Sequence, residues 1–266
     1  MVGASLLVIS GVMLLIEVVY GAPIYGFFDY IYVDAFNAFM IFILTIVAFL
    51  ASIYTIGYLR YDLVHERITK QHFHRYYLGY HLFLLTMLLV MLFNNLALVW
   101  IAIELTTLIS ALLIAFYRKP SALEAAWKYF IIGSLGIAFG LFGILFLFAS
   151  GFDVIDETAN SFNWTVLYEF AKELDPTWMS IAFVFVLVGY GTKAGLAPLH
   201  FWLPDAHSEA PSPISAILSG VLLNTALYGM LRVYLIANET LMGSASNWLL
   251  FFGLFSVVLM VPFIIV

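Results

Sequence analysis

Long apolar runs recur along this 266-residue chain, and they constrain its fold more than any other feature. A bilayer core about 30 Å thick is crossed by roughly 20 apolar residues of α-helix. Backbone groups in lipid must find their hydrogen-bond partners within the protein, which favours helices. The sequence therefore predicts an all-α, polytopic transmembrane bundle with about eight spans, near residues 4–20, 35–58, 76–93, 95–117, 121–150, 178–197, 212–237 and 248–266.

The composition agrees with a membrane protein, because 64% of the residues are hydrophobic and only 10% are charged. A soluble domain carries about a quarter of its residues charged. The absence of cysteine excludes disulfides, thiolate metal sites and cysteine-ligated iron–sulfur clusters. No GxGxxG motif or phosphate-binding P-loop motif is present. We therefore expect no cofactor, no metal and no nucleic-acid partner for this chain.

Charges between the predicted spans alternate in sign. Basic residues gather in two loops, at Arg60, Arg67, Lys70 and Arg75 and again at Arg118 and Lys119. Acidic residues gather in the other loops, at Asp29, Asp34, Asp153, Asp156, Glu157, Glu169, Glu173 and Asp175, against the single base Lys172. Cytoplasmic loops of membrane proteins carry an excess of Lys and Arg. The alternation predicts a multi-pass protein of the cell membrane, with its N-terminus and basic loops in the cytoplasm.

One predicted span is interrupted, within residues 191–216. Lys193 lies inside an apolar run, and Pro198 soon follows it. A polar segment comes next, with His200, Asp205, His207 and Glu209. A lysine at membrane depth costs roughly 2.5–3.5 kcal/mol and usually faces a water-filled path or a partner. Transporters build ion sites from helices broken in this way, so a broken helix near Lys193–Pro198 predicts ion movement through the membrane.

Three further ionisable residues inside the predicted spans are candidates for a proton relay with Lys193. Glu104 lies about 15 Å into its helix, near the bilayer midplane and at a depth similar to that of Lys193. Lys128 and His81 lie nearer the cytoplasmic ends of their helices. Burial disfavours the charged form of a side chain, and pairing with an opposite charge restores it. A change in the separation of Glu104 and Lys193 can therefore store and release a proton.

The same residues have structural interpretations. Glu104 and Lys193 can form an ion pair that only stabilises the bundle. Lys128 can extend its amine to the interface, and His81 can serve as a hydrogen-bonded packing residue. We expect Arg232 and Glu17, near helix ends, at the interface, and most of the aromatic side chains against lipid. We expect the remaining histidines to be solvated rather than to bind a metal, because three lie in the basic loop and prolines flank the other two. They are His65, His72 and His74 in the loop, and His200 and His207 beside the prolines.

Four stretches of the sequence closely resemble one protein family. They are NLALVWIAIELTT at 95–107, LEAAWKYF at 123–130, the interrupted span at 189–216, and SGVLLNTALYGMLR at 219–232. The family is that of the antiporter-like membrane subunits shared by respiratory complex I, Mrp-type cation/proton antiporters and energy-converting membrane-bound hydrogenases. The segment LPDAHSEAPSPISAILSGVLLNTALY looks most like the hydrogenase branch. The resemblance covers residues 28–232 and joins several separate motifs in order.

The resemblance implies roles for particular residues. Glu104 and Lys193 match the central charged pair of the family's proton channel, and Lys128 and His200 match its further relay groups. Asn224 stands where many members have a lysine, and asparagine cannot carry a proton as a charge. The relay is then expected to continue through water or another group. His200 and His81 are candidates, with Asn224 and His207 as possible polar members.

The resemblance also implies an organisation in three parts. Residues 76–237 match one five-helix antiporter-type repeat, preceded by N-terminal helices and the basic loop in 1–75 and followed by the start of a further helix in 238–266. Typical members are about twice as long and have two inverted repeats, each with a half-channel. The second half-channel is therefore expected on another polypeptide, or else this chain, ending in an apolar run, is truncated or split.

The function implied is translocation of protons, or of sodium ions, by a subunit of a redox-driven complex such as a membrane-bound hydrogenase or an NADH dehydrogenase-like oxidoreductase. Its partners would be other membrane subunits and the lipid bilayer. Two alternatives stay open at this stage. One is a stand-alone Mrp-type Na+/H+ antiporter subunit, which needs no redox partner. The other is a structural half-subunit without transport.

Overall fold

The computed structural model describes residues 2–155 and 160–265. Two loop residues counted among the acidic group, Asp156 and Glu157, lie outside this part. The described elements, in chain order, are α1 (Val2–Tyr20), β1 (Ile24–Gly26), β2 (Ile31–Val33), α2 (Ala35–Val64), α3 (Lys70–Leu92), α4 (Leu96–Ile114), α5 (Pro120–Ser150), α6 (Trp164–Glu169), α7 (Pro176–Ala194), α8 (Leu203–Glu209), α9 (Ser212–Ile217), α10 (Leu223–Thr240) and α11 (Ser244–Ile265). A 3₁₀ turn at Ala115–Tyr117 follows α4, and a π-helical turn at Leu218–Leu222 joins α9 to α10.

The predicted all-α polytopic bundle is confirmed. Within the described residues, 8 helical segments are long and apolar enough to cross a membrane. Side chains placed by the sequence at helix starts explain several boundaries, because Asp34, Asn95 and Asp175 accept hydrogen bonds from the first backbone N–H groups of α2, α4 and α7. The sequence did not predict the small β1–β2 hairpin, whose strands pair antiparallel with Ile24 opposite Val33.

The helices place opposite charges at opposite ends of the bundle. The connections after α2 and α4 carry the basic residues, and we call this the basic end. The connections after α1 and α5 carry the acidic residues, and we call this the acidic end. Helix α7 starts at the acidic end and stops at Ala194, three residues earlier than the sequence predicted. The segment that follows it reaches the basic end through the short helix α8.

Glycines let α5 and α7 approach closely. A Cβ atom added at Gly189 of α7 would lie 2.3 Å from the backbone nitrogen of Gly140 on α5. Gly136 and Gly143 of α5 are similarly close to Thr192 and Val186 of α7. Small residues at such contacts let helix backbones pack together in membranes, where the hydrophobic effect does not drive association. This contact fixes the position of Lys193, near the end of α7, against α5.

The end of α7 shows how a helix can break inside the bundle. Gly195 adopts a left-handed conformation with φ of 81°, and its N–H donates to the carbonyl of Gly191. Leu196 N–H donates to the same carbonyl at 2.8 Å. The chain then turns back, and the indole of the fully buried Trp202 donates to the carbonyl of Thr192 at 2.9 Å. The carbonyls of Gly191 and Thr192 thus find donors within the protein, as burial in a membrane requires.

Candidate functional site

Lys193 is completely buried, with 0% of its surface exposed. Its amine donates hydrogen bonds to Thr107 Oγ1 at 2.9 Å and to the hydroxyl of Tyr129. The amine also lies 4.3 Å from the centre of the Tyr129 ring and 6.0 Å from that of Trp202. Aromatic faces attract cations at these distances. The lysine predicted from the sequence is therefore held by neutral hydroxyl groups and aromatic rings.

Tyr129 joins the three helices that form this site. It lies on α5, and its hydroxyl is bonded to Lys193 on α7 and, at 2.7 Å, to Ser110 on α4. Ser110 in turn donates to the carbonyl of Thr106 at 2.5 Å. The ring of Tyr129 also packs against Trp202, with 4.8 Å between ring centres. The broken segment, α4 and α5 thus meet at one aromatic side chain.

Glu104 lies close to this group on α4. Ser134 of α5 donates to its Oε1 at 2.5 Å, and its Oε2 is buried without a hydrogen-bond partner in the described residues. Thr107, which binds Lys193, follows Glu104 by one helical turn, about 4.5 Å along the axis. Among the ion pairs of the described residues, none joins Glu104 to Lys193. The two charges are neighbours without being in contact.

Lys128 lies outside this buried group, although it is adjacent to Tyr129 in the chain. Its side chain is 49% exposed and pairs with Glu124 at 2.8 Å and with Asp205 of α8 at 2.9 Å. The first pair has the i, i+4 spacing that brings side chains together on a helix. The second pair connects α5 to the polar segment after the break. Lys128 therefore lies at the rim of the bundle near its basic end.

The other predicted relay residues lie on α3, α8 and α10 and in the segment between α7 and α8. His81 is on an exposed face of α3, and its Nδ1 lies 2.7 Å from the carbonyl oxygen of Tyr77. His200 is partly buried, and its Nδ1 has no hydrogen-bond partner within the described residues. His207 Nδ1 lies 3.0 Å from Ser215 Oγ, and burial lowers the pKa of this histidine. Asn224 donates to the backbone carbonyl of Gly220 at 3.0 Å.

Several hydroxyl residues of the site were not predicted from the sequence. Glu104, Thr107 and Ser110 are spaced three residues apart, so they lie along one face of α4. That spacing is a signal the sequence contains. Tyr129 has no such signal, because many of the chain's aromatic residues do face outward. The expectation that aromatic side chains face lipid is wrong for the fully buried members, which include Trp202, Tyr76, Tyr80, Tyr129, Tyr190 and Tyr228.

A second buried charge lies nearer the acidic end. Arg232 of α10, which the sequence placed near the interface, is only 3% exposed and is enclosed by the protein. Its guanidinium forms two hydrogen bonds with Asp34, at 2.7 and 2.9 Å, and lies 4.1 Å from the ring of Trp164. It also donates to Asn37 and to the hydroxyl of Tyr228. Burial of Asp34 favours its neutral form, but Arg232 outweighs burial and holds the pKa of this carboxyl below its usual value.

Comparison with known proteins decides the family. Residues 93–261 match the family described as NADH:quinone oxidoreductase/Mrp antiporter, TM. The chain belongs to this family. The match includes α4, α5, α7 and α10, and hence Glu104 and Lys193. The resemblance found in the sequence motifs is therefore confirmed.

Similar proteins and solved structures agree with the assignment of this chain to the NADH:quinone oxidoreductase/Mrp antiporter family. A hydrogenase-4 component F homolog from Methylacidiphilum infernorum is 42% identical over 200 residues, which are 75% of this chain and 42% of that protein. A chain of the membrane-bound sulfane sulfur reductase, an archaeal respiratory membrane complex, has the same fold with a TM-score of 0.77 at 21% identity, over 93% of this chain and 49% of that one.

A chain of respiratory complex I from Thermus thermophilus has a TM-score of 0.63 at 26% identity, over 86% of this chain and 46% of that one. The chain thus spans less than half the length of each of these three relatives. This chain therefore corresponds to only part of the length of those proteins.

Proposed function

We propose that this chain is an ion-translocating membrane subunit of a redox-driven complex, in which Glu104 and Lys193 transfer protons. Membership of the NADH:quinone oxidoreductase/Mrp antiporter family supports transport. The relatives named as a hydrogenase component, a sulfane sulfur reductase complex and a respiratory complex I support a redox complex. In this proposal electron transfer takes place in other subunits, and this chain binds no cofactor. Sodium is the alternative ion.

The observation that carries the proposal is the neutral environment of the buried amine of Lys193. Its hydrogen-bond partners, Thr107 and Tyr129, are hydroxyl groups. A hydroxyl can accept from an ammonium group and can also donate to a neutral amine. The same two hydroxyl groups can therefore stabilise both protonation states of the lysine. A carboxylate partner, by contrast, would favour only the charged state.

Glu104 supplies the second proton-binding group. Its Oε2 is buried and free to accept a hydrogen bond, while Ser134 holds Oε1. A small shift between α4 and α7 would bring the carboxylate to the lysine and favour the charged lysine. The opposite shift would favour release of the proton. A purely structural ion pair requires contact between the two groups, and the structure has them apart.

The path toward the basic end is expected to follow the polar groups beyond Lys193. Ser110 continues from Tyr129 along α4. His200, whose Nδ1 has no hydrogen-bond partner among the described residues, and His207 lie on the segment that follows the break. Lys128, paired with Asp205, is then a residue of the channel mouth. We propose that other membrane subunits continue the pathway, including whichever supplies a second half-channel.

Replacing Glu104 with glutamine is expected to reduce ion pumping about tenfold or more while substrate turnover and assembly persist. Glutamine keeps the shape and accepts the hydrogen bond from Ser134, but it cannot bind and release a proton. The measurement is acidification or sodium uptake in sealed vesicles that contain the complete complex, compared with substrate turnover in the same preparation. Both readings are needed to separate coupling from catalysis.

The matched control is Glu239→Gln, which removes the same charge from an exposed carboxylate near Lys172. This variant should pump normally. Normal pumping by Glu104→Gln as well would contradict the channel role and favour the structural half-subunit. Pumping that persists without any redox substrate would instead favour the stand-alone antiporter.

The charge distribution also supports an orientation, with the basic end in the cytoplasm. The chain has no native cysteine, so single-cysteine variants report position without background. Cysteine at Glu173, on the acidic end, is expected to react with an impermeant thiol reagent added to intact cells, and cysteine at Ser121 is expected to be protected until the cells are opened. The reverse labelling would place the basic end outside.

A further inference from the structure

An apolar groove opens on the membrane-facing side of the bundle between α3 and the end of α4, near the basic end. Its volume is about 650 Å³. Its floor and walls include Leu78, Gly79, Leu82, Ile109 and Leu113. Gly79 lets α3 and α4 approach closely beside the groove, because a Cβ there would lie 3.0 Å from a methyl group of Leu113. The groove lies within the size range of small-molecule sites.

A second apolar hollow lies beside the first, between α4 and α5. It has a volume of about 320 Å³ and includes Leu108, Trp127 and Phe130 in its lining. Three residues, Leu112, Ala115 and Leu123, line both hollows. Leu112 is 69% exposed and Trp127 is 62% exposed, so large apolar side chains are open on the outside of the bundle here. The two hollows therefore adjoin and share one wall.

Basic side chains gather at one end of the larger groove. His72, Arg75 and Arg118 line it there, at the basic end of the bundle. Arg75 and Arg118 are exposed, and neither takes part in an ion pair within the described residues. Two acidic residues of the neighbouring elements are engaged elsewhere, since Asp62 accepts from Tyr117 at 2.5 Å and Glu124 pairs with Lys128. The rim thus offers unneutralised positive charge above two apolar hollows.

We propose that this paired groove binds an anionic phospholipid of the bilayer. Its phosphate would contact Arg75 and Arg118, and its two acyl chains would lie in the two hollows. Basic pockets between transmembrane helices near the cytoplasmic surface are suited to acidic headgroups. Two hollows beside one basic rim match a diacyl lipid better than a single partner helix, which has one apolar stripe and no required negative charge.

The site adjoins the helix that carries the buried carboxylate. Leu108 and Leu112 follow Glu104 on α4 by one and two turns, and both line the hollows. Ser110, on the same stretch of α4, bonds to Tyr129. An acyl chain in the groove would therefore contact α4 one and two turns beyond Glu104. The proposal does not depend on ion translocation, because binding can be measured directly.

The test uses phosphatidylglycerol with brominated acyl chains, which quench nearby tryptophan fluorescence. The purified full chain, in detergent, is titrated with this lipid and separately with brominated phosphatidylcholine. Quenching that the wild type shows and the Trp127→Phe variant lacks indicates that a brominated acyl chain occupies the smaller hollow. We expect phosphatidylglycerol to saturate this signal at lower concentration. The double variant Arg75→Gln/Arg118→Gln should lose affinity for phosphatidylglycerol by about thirtyfold, from two basic contacts.

The matched control is Arg60→Gln/Lys119→Gln, which removes two positive charges from the basic end outside the groove lining. It should bind phosphatidylglycerol within about twofold of the wild type. Equal quenching by both lipids would overturn the proposal, as would equal losses in both double variants. Displacement of the lipid by millimolar glycerol phosphate would indicate a free phosphate site instead. Absence of Trp127 quenching in the assembled complex would mean that another chain fills the groove.

Discussion

Substitution of Lys193 by arginine is expected to reduce ion pumping at least tenfold while substrate turnover and assembly of the complex persist. Arginine keeps the positive charge but does not release its proton at accessible pH. The proposed mechanism requires Lys193 to release its proton. The hydroxyl groups of Thr107 and Tyr129 can bind the amine both before and after that release. Lys193→Ala should also abolish coupling, since it removes the proton-binding group.

The arginine variant separates the relay from a structural role. A structural cation would be replaced adequately by arginine, so normal pumping by Lys193→Arg would exclude deprotonation of this residue as a step. Lys172→Arg is the matched control, because Lys172 is 82% exposed, lies outside the proposed pathway, and its carboxylate partner Glu239 accepts equally from a guanidinium. It should pump normally. The comparison is made in sealed vesicles with pumping normalised to turnover.

Substitution of Gly189 by alanine is expected to destabilise the protein more than any other single methyl addition to its glycines. The new Cβ would lie 2.3 Å from the Gly140 nitrogen and 2.7 Å from its Cα, both of which are backbone atoms that cannot rotate away. Overpacking of a dense interior typically costs about 1–3 kcal/mol. We therefore expect the thermal unfolding midpoint in detergent to fall by at least about 2 °C.

The control for this change is Gly57→Ala on α2. Nothing lies within 4 Å of a Cβ at Gly57, and alanine favours the helix. The unfolding midpoint of this variant should be unchanged or slightly higher. Equal midpoints for Gly189→Ala and the wild type would mean that α5 and α7 lie farther apart than the structure has them. Pumping should fall with the Gly189 variant, since separation of these helices moves Lys193 away from Tyr129.

The features that the sequence predicts well are those set by hydrophobicity and local backbone chemistry. The spans follow from the length of apolar runs. The break after Lys193 follows from Gly195 and Pro198, and the depth of Glu104 follows from simple counting along α4. These properties depend on neighbours in the chain, so a single sequence contains them.

Residues that act through tertiary contacts could not be predicted in this way. Tyr129 and Trp127 are both aromatic residues on α5, yet one is fully buried and the other is 62% exposed. The difference depends on which face of α5 meets α7, and that face is set by glycines whose partners named above lie 43 to 56 residues away. Arg232 and Asp34 are 198 residues apart in the chain. Nothing in the local pattern of either residue indicates the other.

The π-helical turn at Leu218–Leu222 has a consequence for how the seventh span is oriented. A wide turn of this kind holds one residue more than an α-helical turn, which shifts the angular phase of everything beyond it by about 100°. Before the turn, Ser215 faces His207 on the polar segment. After it, Tyr228 and Arg232 face Asn37. The π-helical turn therefore sets the angle between these two contact faces of one continuous helical span. In an unbroken α-helix, one of the two faces would point away from its partner.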